Sequence, residues 1–351
     1  MKLQTKIPIP SKQPKIDYDS KIVLLGSCFV ENIGDRLSYA KFQTLQNPFG
    51  ILFHPKAIEN SIERALRDNS FIEEDVFFKN ERWYCFEMHS SINASNKKDF
   101  LVLINRKLAE LKAYLLNSTH IVLTFGTAWV YRFVKSQKLV ANCFKIPQKE
   151  FKKELLSVSD INSSLSNVVA LIKESNPKAS IITTVSPVRH LKDGFVDNNL
   201  SKAHLITAIH QVLSSESLLK TLFYFPSYEV MMDELRDYRF YKEDMIHPNN
   251  TAVTIILEAF NTAWISSTTE PFQKVDMKHD RTIAKSCHVT SVRGGEEGGV
   301  PGGNGKTSKG EINAQKRAAV SLPHATAESG VTDQTKRSSP RRNGFSTDVS
   351  E

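Results

Sequence analysis

The sequence lacks the residue spacings that mark several large protein classes. Its four cysteines, Cys28, Cys85, Cys143 and Cys287, form no CxxC pair, so a disulfide framework is not indicated and a reducing cytoplasm is the expected location. The ten histidines show no HExxH or similar ligand spacing, and no P-loop or GxGxxG motif indicates a nucleotide. We therefore expect no bound metal and no cofactor.

Long apolar stretches are also absent. No run approaches the roughly 18 residues that a transmembrane helix needs, and residues 1–10 lack the apolar core of a secretory signal. The chain nevertheless has 351 residues, 40% of them hydrophobic, which is enough for one large domain or two small ones. The prediction is a protein without a membrane span.

Glycine is scarce except near the C-terminus. Ten of the fifteen glycines lie in residues 281–351, a segment with one aromatic residue, Phe345, and no apolar periodicity. Such a segment cannot bury enough surface to offset its conformational entropy. We predict a folded domain over residues 1–270 and a disordered, glycine-rich, basic tail over residues 271–351.

The net charge of +8 does not indicate nucleic-acid binding. Residues 281–351 contain 11 lysines and arginines against 7 acidic residues, so half of the net charge lies in the predicted tail. The rest of the chain has no basic run and no patch that interleaves basic and aromatic residues. We expect no nucleic-acid partner.

Within the predicted domain, short apolar runs alternate with amphipathic stretches. Strands are predicted at residues 22–25, 120–125, 180–185 and 222–225, and helices are predicted to begin at Pro55, to begin with Asp160 as N-cap, to span residues 201–214 and to follow Pro248. This alternation favours an α/β fold, in which a mostly parallel sheet is covered by helices on both faces. Residues 71–118 interrupt it with a hairpin and a charged helix, which suggests an insertion able to form a lid or rim.

The first predicted strand runs directly into Gly26, Ser27 and Cys28. Gly26 permits a sharp turn, and the N-terminus of the next helix supplies free N–H groups and positive potential beside the hydroxyl or thiol. This layout is typical of a nucleophile in an α/β enzyme, and it is expected to lower the pKa of the Cys28 thiol. Gly126-Thr127 and Ser186 also follow predicted strands, so we expect them at the same carboxyl edge of the sheet.

A second motif, Asp244-Met-Ile-His247, precedes the last predicted helix. A carboxylate three residues before a histidine can accept its Nδ1–H, which leaves Nε2 as a general base. The order of a nucleophile after the first strand and this pair before the last helix matches a known catalytic arrangement.

Six motifs between residues 20 and 262 form a specific combination. They are Leu25-Gly-Ser-Cys-Phe-Val30, Asn47-Pro-Phe-Gly-Ile51, Gly126-Thr-Ala-Trp-Val-Tyr131, Val140-Ala-Asn-Cys143, Thr184–Asp193 and Tyr238–Pro248. Together they resemble the GSCFA family of the SGNH (GDSL-like) hydrolase superfamily, with Val30 where the name motif of the family has alanine. The resemblance implies a three-layer sandwich with a flavodoxin-like sheet and an esterase type of activity.

The resemblance leaves the nucleophile open between two residues. Superfamily members carry Gly-Asp-Ser in their first block, and ungapped comparison with this chain places Cys28 at the nucleophile position, with Ser27 as the alternative. Asp244 and His247 correspond to the catalytic pair of the fifth block, and Gly50 corresponds to the glycine of the second block.

The third block of the superfamily supplies an asparagine to the oxyanion hole, and this chain has Ala128 at that position. Removing such a donor typically costs about 10²–10³ in rate. The resemblance therefore implies that Asn47 or Thr127 replaces it, or that the reaction is not simple ester hydrolysis. Arg189 and His190, which follow the third predicted central strand, are either ligands for an anionic part of the substrate or a solvated pair.

Three functions are compatible with these residues. The first is a hydrolase of an acyl ester, on a small molecule or on an acylated glycan or lipid-derived substrate. The second is an acyltransferase that uses the same residues, and the third is a catalytically weak binding protein. The sequence predicts neither the acyl group nor the oligomeric state.

Overall fold

The structure is a computed structural model that describes residues 5–214 and 221–269. The strands are, in chain order, β1 (Lys21–Gly26), β2 (Gln43–Gln46), β3 (Val76–Lys79), β4 (Arg82–Cys85), β5 (His120–Phe125), β6 (Trp129–Phe133), β7 (Leu139–Val140), β8 (Phe151–Leu155), β9 (Ser180–Val185) and β10 (Leu222–Tyr224). The helices are α1 (Cys28–Tyr39), α2 (Pro55–Leu66), α3 (Lys97–Asn117), α4 (Val158–Ser175), α5 (Phe195–Leu213), the single turn α6 (Ser227–Glu229) and α7 (Asn250–Trp264). The predicted tail over residues 271–351 lies outside the described residues.

Five parallel strands form the central sheet in the order β10-β9-β5-β1-β2. Numbered along the chain within this sheet, the order is 2-1-3-4-5, which is flavodoxin-like and agrees with the predicted fold. The four apolar strands predicted from the sequence are confirmed as β1, β5, β9 and β10, each within one residue at either end. Strand β2 has the sequence Gln-Thr-Leu-Gln and was missed because it is polar and only partly buried.

Helices cover both faces of the sheet, so the predicted three layers are confirmed. One face packs against α2, α3, α4 and α5, and the other packs against α1 and α7. Alternate residues of β1 point to opposite layers: Val23 and Leu25 belong to the first core, Ile22 and Leu24 to the second. Burial on both faces explains why these strands read as continuous apolar runs.

Two of the predicted helix starts are wrong in an instructive way. The N-cap of α4 is Ser157, and Asp160 closes the turn from inside the helix by accepting from Ser157. Helix α5 begins at Phe195 instead of near residue 201. The prediction missed its first turn because Phe195 and Val196 are exposed to solvent, so this turn has no buried apolar face.

Residues 71–118 contain a hairpin that lies outside the central sheet and a helix that belongs to the layer covering the sheet. Strands β3 and β4 form the hairpin that the sequence suggested and pair with each other. Helix α3, in contrast, buries one face against the sheet and α2, through Phe100, Ile104, Leu108, Leu111 and Leu115. A separate antiparallel sheet, β7-β6-β8, follows β5.

In the stretches of chain that the structure describes, every helix is too short or too polar to cross a membrane.

Candidate active site

The turn after β1 can be formed only by glycine. Gly26 has φ of +135°, and a β-carbon at this position would lie 2.1 Å from the carbonyl oxygen of Thr124 on β5. Ser27 then returns to extended geometry as the N-cap residue of α1, and Cys28 is the first residue of that helix. The close approach of β1 and β5 thus fixes where Ser27 and Cys28 lie at the carboxyl edge of the sheet.

Ser27 and Cys28 differ in their access to a substrate. Ser27 is fully buried, and its Oγ has no hydrogen-bond partner among residues 5–214 and 221–269. Cys28 is partly exposed, with a free thiol. Cys28 is therefore more accessible to solvent than Ser27.

The electrostatic environment of Cys28 differs from the expectation. Burial and the nearby Glu31 carboxylate raise the pKa of the Cys28 thiol, while the ammonium groups of Lys202 and Lys242 lower it by less. The predicted lowering by the helix N-terminus is therefore outweighed, because desolvation disfavours the thiolate. Cys28 is a thiol that needs a base, rather than a preformed thiolate.

Asp244 and His247 form the contact expected from their spacing. His247 Nδ1 lies 2.7 Å from Asp244 Oδ2, and Asp244 Oδ1 accepts the backbone N–H groups of Ile246 and His247, both at 2.9 Å. These backbone bonds and the imidazole lower the pKa of Asp244 to about 2. With the Nδ1–H directed at Asp244, Nε2 of His247 is left as the acceptor.

The loop that carries His247 lies at the carboxyl edge of the sheet. The backbone N–H of Arg189, in the segment after β9, donates to the carbonyl oxygen of Ile246 at 3.3 Å. In the same loop the Lys242 N–H donates to the His247 carbonyl oxygen at 2.8 Å. This loop therefore lies beside the segment that follows β9 at the carboxyl edge of the sheet.

The Arg189 side chain packs on this loop as well. Its guanidinium donates to the Tyr241 hydroxyl at 2.7 Å and lies 4.2 Å from the centre of the Tyr241 ring. With Tyr238 it lines a cavity of about 230 Å³. The Arg189 guanidinium is thus held against Tyr241, and a role in binding an anionic group stays a prediction.

Asn47 and Gly50 form the turn after β2. Asn47 Oδ1 accepts the backbone N–H of Gly26 at 2.9 Å. Its Nδ2 is buried and has no partner in hydrogen-bond geometry within the described ranges. Burial raises the pKa of the Glu31 carboxyl, and the nearby Asn47 amide reduces this rise. Gly50 has φ of +73°, and a β-carbon on it would lie 2.5 Å from His89 Cβ.

The polar groups of Thr127 are already occupied. The backbone N–H groups of Gly126 and Thr127 both donate to the Phe53 carbonyl oxygen, at 2.7 and 3.0 Å. Thr127 Oγ1 lies 3.0 Å from Ser201 Oγ, and that hydroxyl also accepts from the backbone N–H of Ala128. Of the two residues suggested as a replacement oxyanion donor, Asn47 has a side-chain amide that lies beside the Glu31 carboxylate but outside hydrogen-bond geometry. The backbone N–H of Thr127 is occupied.

His190 lies beside Gly126. The position of a β-carbon on Gly126 would be 3.1 Å from His190 Nε2 and 3.3 Å from Ser27 Cβ. The ring packs edge-on against Phe53, at 5.5 Å between centroids. Burial, and then the charges of Lys202 and His247, lower the pKa of His190 to about 3, so the ring is neutral at ordinary pH.

Lys202 is the residue of this region that the sequence analysis missed. It is 1% exposed, and its Nζ donates to the carbonyl oxygens of Gly126 and Ser186, at 2.7 and 2.8 Å. Burial lowers its pKa to about 7. The signal was present, because Lys202 falls on the stripe that Asn198, Leu205 and Ile209 bury on α5, where a lysine without a polar partner is not expected.

A larger cavity lies away from these residues. It has a volume of about 850 Å³ and is lined by α2, the β3–β4 hairpin and strands β6 and β7, including Arg64, Cys85 and Phe86. None of the candidate site residues lines it. In the described part of the chain no cluster of histidine, cysteine and acidic side chains has the arrangement of a metal site.

Comparison with known proteins gives a family match and two distant structural likenesses. The model of the GSCFA family matches residues 21–260, which include every candidate site residue from Ser27 to His247. Two similar solved structures are a carbohydrate esterase family 3 protein from Talaromyces cellulolyticus (7% identity, TM-score 0.33, 73% of this chain and 100% of that one) and the acetyl xylan esterase Est2A from the rumen bacterium Butyrivibrio proteoclasticus (11%, 0.34, 71% and 64%). No curated protein matches the chain.

Proposed function

Because the chain belongs to the GSCFA family, whose motifs resemble those of SGNH hydrolases, we propose that it hydrolyses an acyl ester. The substrate is a small molecule, or an acylated glycan or lipid-derived compound. The observation that carries the proposal is the 2.7 Å contact between His247 and Asp244, on a loop at the sheet edge where Cys28 begins α1.

In the proposed reaction Cys28 is the nucleophile. His247 Nε2 takes the thiol proton as the sulfur attacks the acyl carbonyl, and Asp244 stabilises the imidazolium that forms. The tetrahedral intermediate collapses to a thioester, and the alcohol leaves with the proton from His247. A water molecule, deprotonated by the same imidazole, then hydrolyses the thioester and restores the thiol.

One observation favours Cys28 over Ser27: Cys28 is partly exposed whereas Ser27 Oγ is buried. Because burial raises the pKa of the Cys28 thiol, the proposed reaction needs a base to remove its proton. Asn47 Nδ2, which is buried beside the Glu31 carboxylate without hydrogen-bond geometry in the described structure, is proposed as one donor to the developing oxyanion.

The test is turnover of p-nitrophenyl esters of increasing acyl length, with and without acceptor sugars. Hydrolysis by wild type that is lost in Cys28→Ala and kept in the matched control Cys143→Ala supports the proposal. A product that appears only with an acceptor would identify an acyltransferase with the same residues. No turnover of any ester would favour a binding protein on this fold. A cytoplasmic location remains a prediction from the cysteine content.

A further inference from the structure

Two buried polar atoms belong to residues that lie beside Gly126. Ser27 Oγ and His190 Nε2 have no hydrogen-bond partner within residues 5–214 and 221–269, and both residues border the space that a side chain on Gly126 would fill. Buried polar groups are almost always hydrogen-bonded, because leaving one unpaired forfeits its hydration. An unpaired imidazole nitrogen at this position indicates that a substrate brings its partner.

Both a carbonyl oxygen and an amine lie close to this space. The Phe53 carbonyl oxygen is 3.1 Å from the position of a β-carbon on Gly126. Lys202 Nζ donates to the carbonyl oxygens of Gly126 and Ser186. Among the titratable groups of the described structure, only Cys28 raises the pKa of Lys202 and so favours the charged amine. No carboxylate compensates this buried amine in the described residues. A developing anion next to Gly126 would therefore favour the protonated form of Lys202, and no carboxylate competes for that charge.

We propose that His190 is the oxyanion donor of the site, with its Nε2–H directed at the carbonyl oxygen that Cys28 attacks. The ring is neutral, so it carries one proton, and on Nε2 that proton faces the space beside Gly126. When the carbon–sulfur bond forms, the carbonyl π electrons move to oxygen, and His190 donates a hydrogen bond to that oxygen without transferring its proton. The inference rests on the proposed ester chemistry and adds a catalytic residue to it.

Three variants separate this role from the alternatives. His190→Ala removes the donor and is expected to lower kcat about 10²–10³-fold, with a smaller change in KM. His190→Gln keeps a side-chain N–H without a base and is expected to recover a large part of kcat. His204→Gln, on a partly buried histidine whose Nδ1 contacts the Leu156 carbonyl oxygen, is the matched control and should leave kcat unchanged.

A parallel measurement distinguishes a donor from a base. Alkylation of Cys28 by iodoacetamide forms no oxyanion. Cys28 should therefore be alkylated at the wild-type rate in His190→Ala and more slowly in His247→Ala. Slower alkylation of His190→Ala, or a His190→Gln variant as inactive as His190→Ala, would overturn the donor role. Thermal melting of each variant verifies that it is folded.

A further measurement keeps the inference testable if no ester substrate is found. 1,1,1-Trifluoroacetone accepts a thiolate to form a tetrahedral oxyanion, and ¹⁹F NMR reports the adduct. We expect adduct formation in wild type, none in Cys28→Ala, and about 10²-fold weaker binding in His190→Ala. Equal binding by wild type and His190→Ala would refute the role of His190, and absence of an adduct in wild type would refute the nucleophile and with it the proposed function.

Discussion

The amine of Lys202 lies 2.7 Å from the carbonyl oxygen of Gly126 in a contact between α5 and the sheet edge that solvent does not reach. A neutral amine has two N–H groups, and the structure offers two carbonyl acceptors, those of Gly126 and Ser186. The buried lysine is therefore satisfied best in its uncharged form, in agreement with a pKa lowered to about 7.

This contact predicts a pH-dependent stability. Between the folded pKa of about 7 and the ordinary value of 10.5, the unfolded chain binds the Lys202 proton more tightly than the folded chain, so the Lys202 contribution to the free energy of unfolding rises with pH. Urea unfolding at pH 7, 8 and 9 should show a smaller rise for Lys202→Met than for wild type. Lys178→Met, at an exposed lysine, should behave as wild type, and an unchanged pH dependence in Lys202→Met would contradict the burial argument.

The identity of the nucleophile is open to direct labelling. If Cys28 attacks the acyl group, Cys28→Ala abolishes turnover, and iodoacetamide labels Cys28 faster than Cys85, Cys143 or Cys287. Cys85 in particular should be slow, because burial raises its pKa to about 12. His247→Ala should reduce the labelling rate at Cys28.

The opposite pattern identifies Ser27. In that case Ser27→Ala is inactive, Cys28→Ser is nearly silent, and a fluorophosphonate probe reacts at Ser27. If both single variants retained full activity, neither residue would be the nucleophile.

Glu31 restrains the reactivity of Cys28. Its carboxylate raises the pKa of the thiol, so Glu31→Gln should lower that pKa and accelerate alkylation of Cys28 at neutral pH. The measurement is the pH dependence of the iodoacetamide reaction. Asp35→Asn, further along the same helix, is the matched control and should shift this dependence less; a Glu31→Gln profile identical to wild type would exclude a charge effect.

Asp244 orients the base and should be needed for rate rather than for folding. Asp244→Asn is expected to lower kcat by up to about 10⁴-fold, because the imidazole loses the partner that sets its tautomer. Since the pKa of Asp244 is lowered to about 2, protonation of this carboxylate should not shape the activity profile above about pH 3. Glu243→Gln, at the adjacent exposed position, should keep wild-type turnover, and an active Asp244→Asn would remove Asp244 from the mechanism.

Truncation tests the predicted domain boundary. A chain that ends near residue 275 should keep its melting temperature within a few degrees and keep any activity, because residues 281–351 have no periodic apolar face. Differential scanning calorimetry of the full and shortened chains makes the comparison. A larger loss of stability would mean that the segment packs against the domain.

Much of the fold could be predicted because buried parallel strands have a strong sequence signal. Strands β1, β5, β9 and β10 are apolar runs that end at glycine, serine or proline, and the turn at Gly26 follows from sequence position alone. Strand β2 gave no such signal because two of its four residues are glutamines. The start of α5 was misplaced because exposed apolar residues at Phe195 and Val196 hide the helical pattern.

The candidate site could be predicted in its chain-local parts only. The Asp244–His247 contact is a property of a three-residue spacing, and it forms as expected. The pKa of Cys28 was expected to fall, but it rises because the depth of burial is set by residues distant in sequence. For the same reason nothing in the sequence paired Lys202 with Gly126, or brought His190 to the space next to Ser27.

The 850 Å³ cavity between α2, the hairpin and the β6–β7 strands has a practical consequence for inhibitor discovery. A fragment that occupies it would raise the melting temperature by an amount that grows with the logarithm of its affinity, while leaving the thiol of Cys28 accessible. Thermal-shift screening would therefore not separate ligands of this cavity from ligands of the candidate active site. Hits should be sorted by whether they protect Cys28 from alkylation, since only compounds at the sheet edge can do so by occupying the space in front of it.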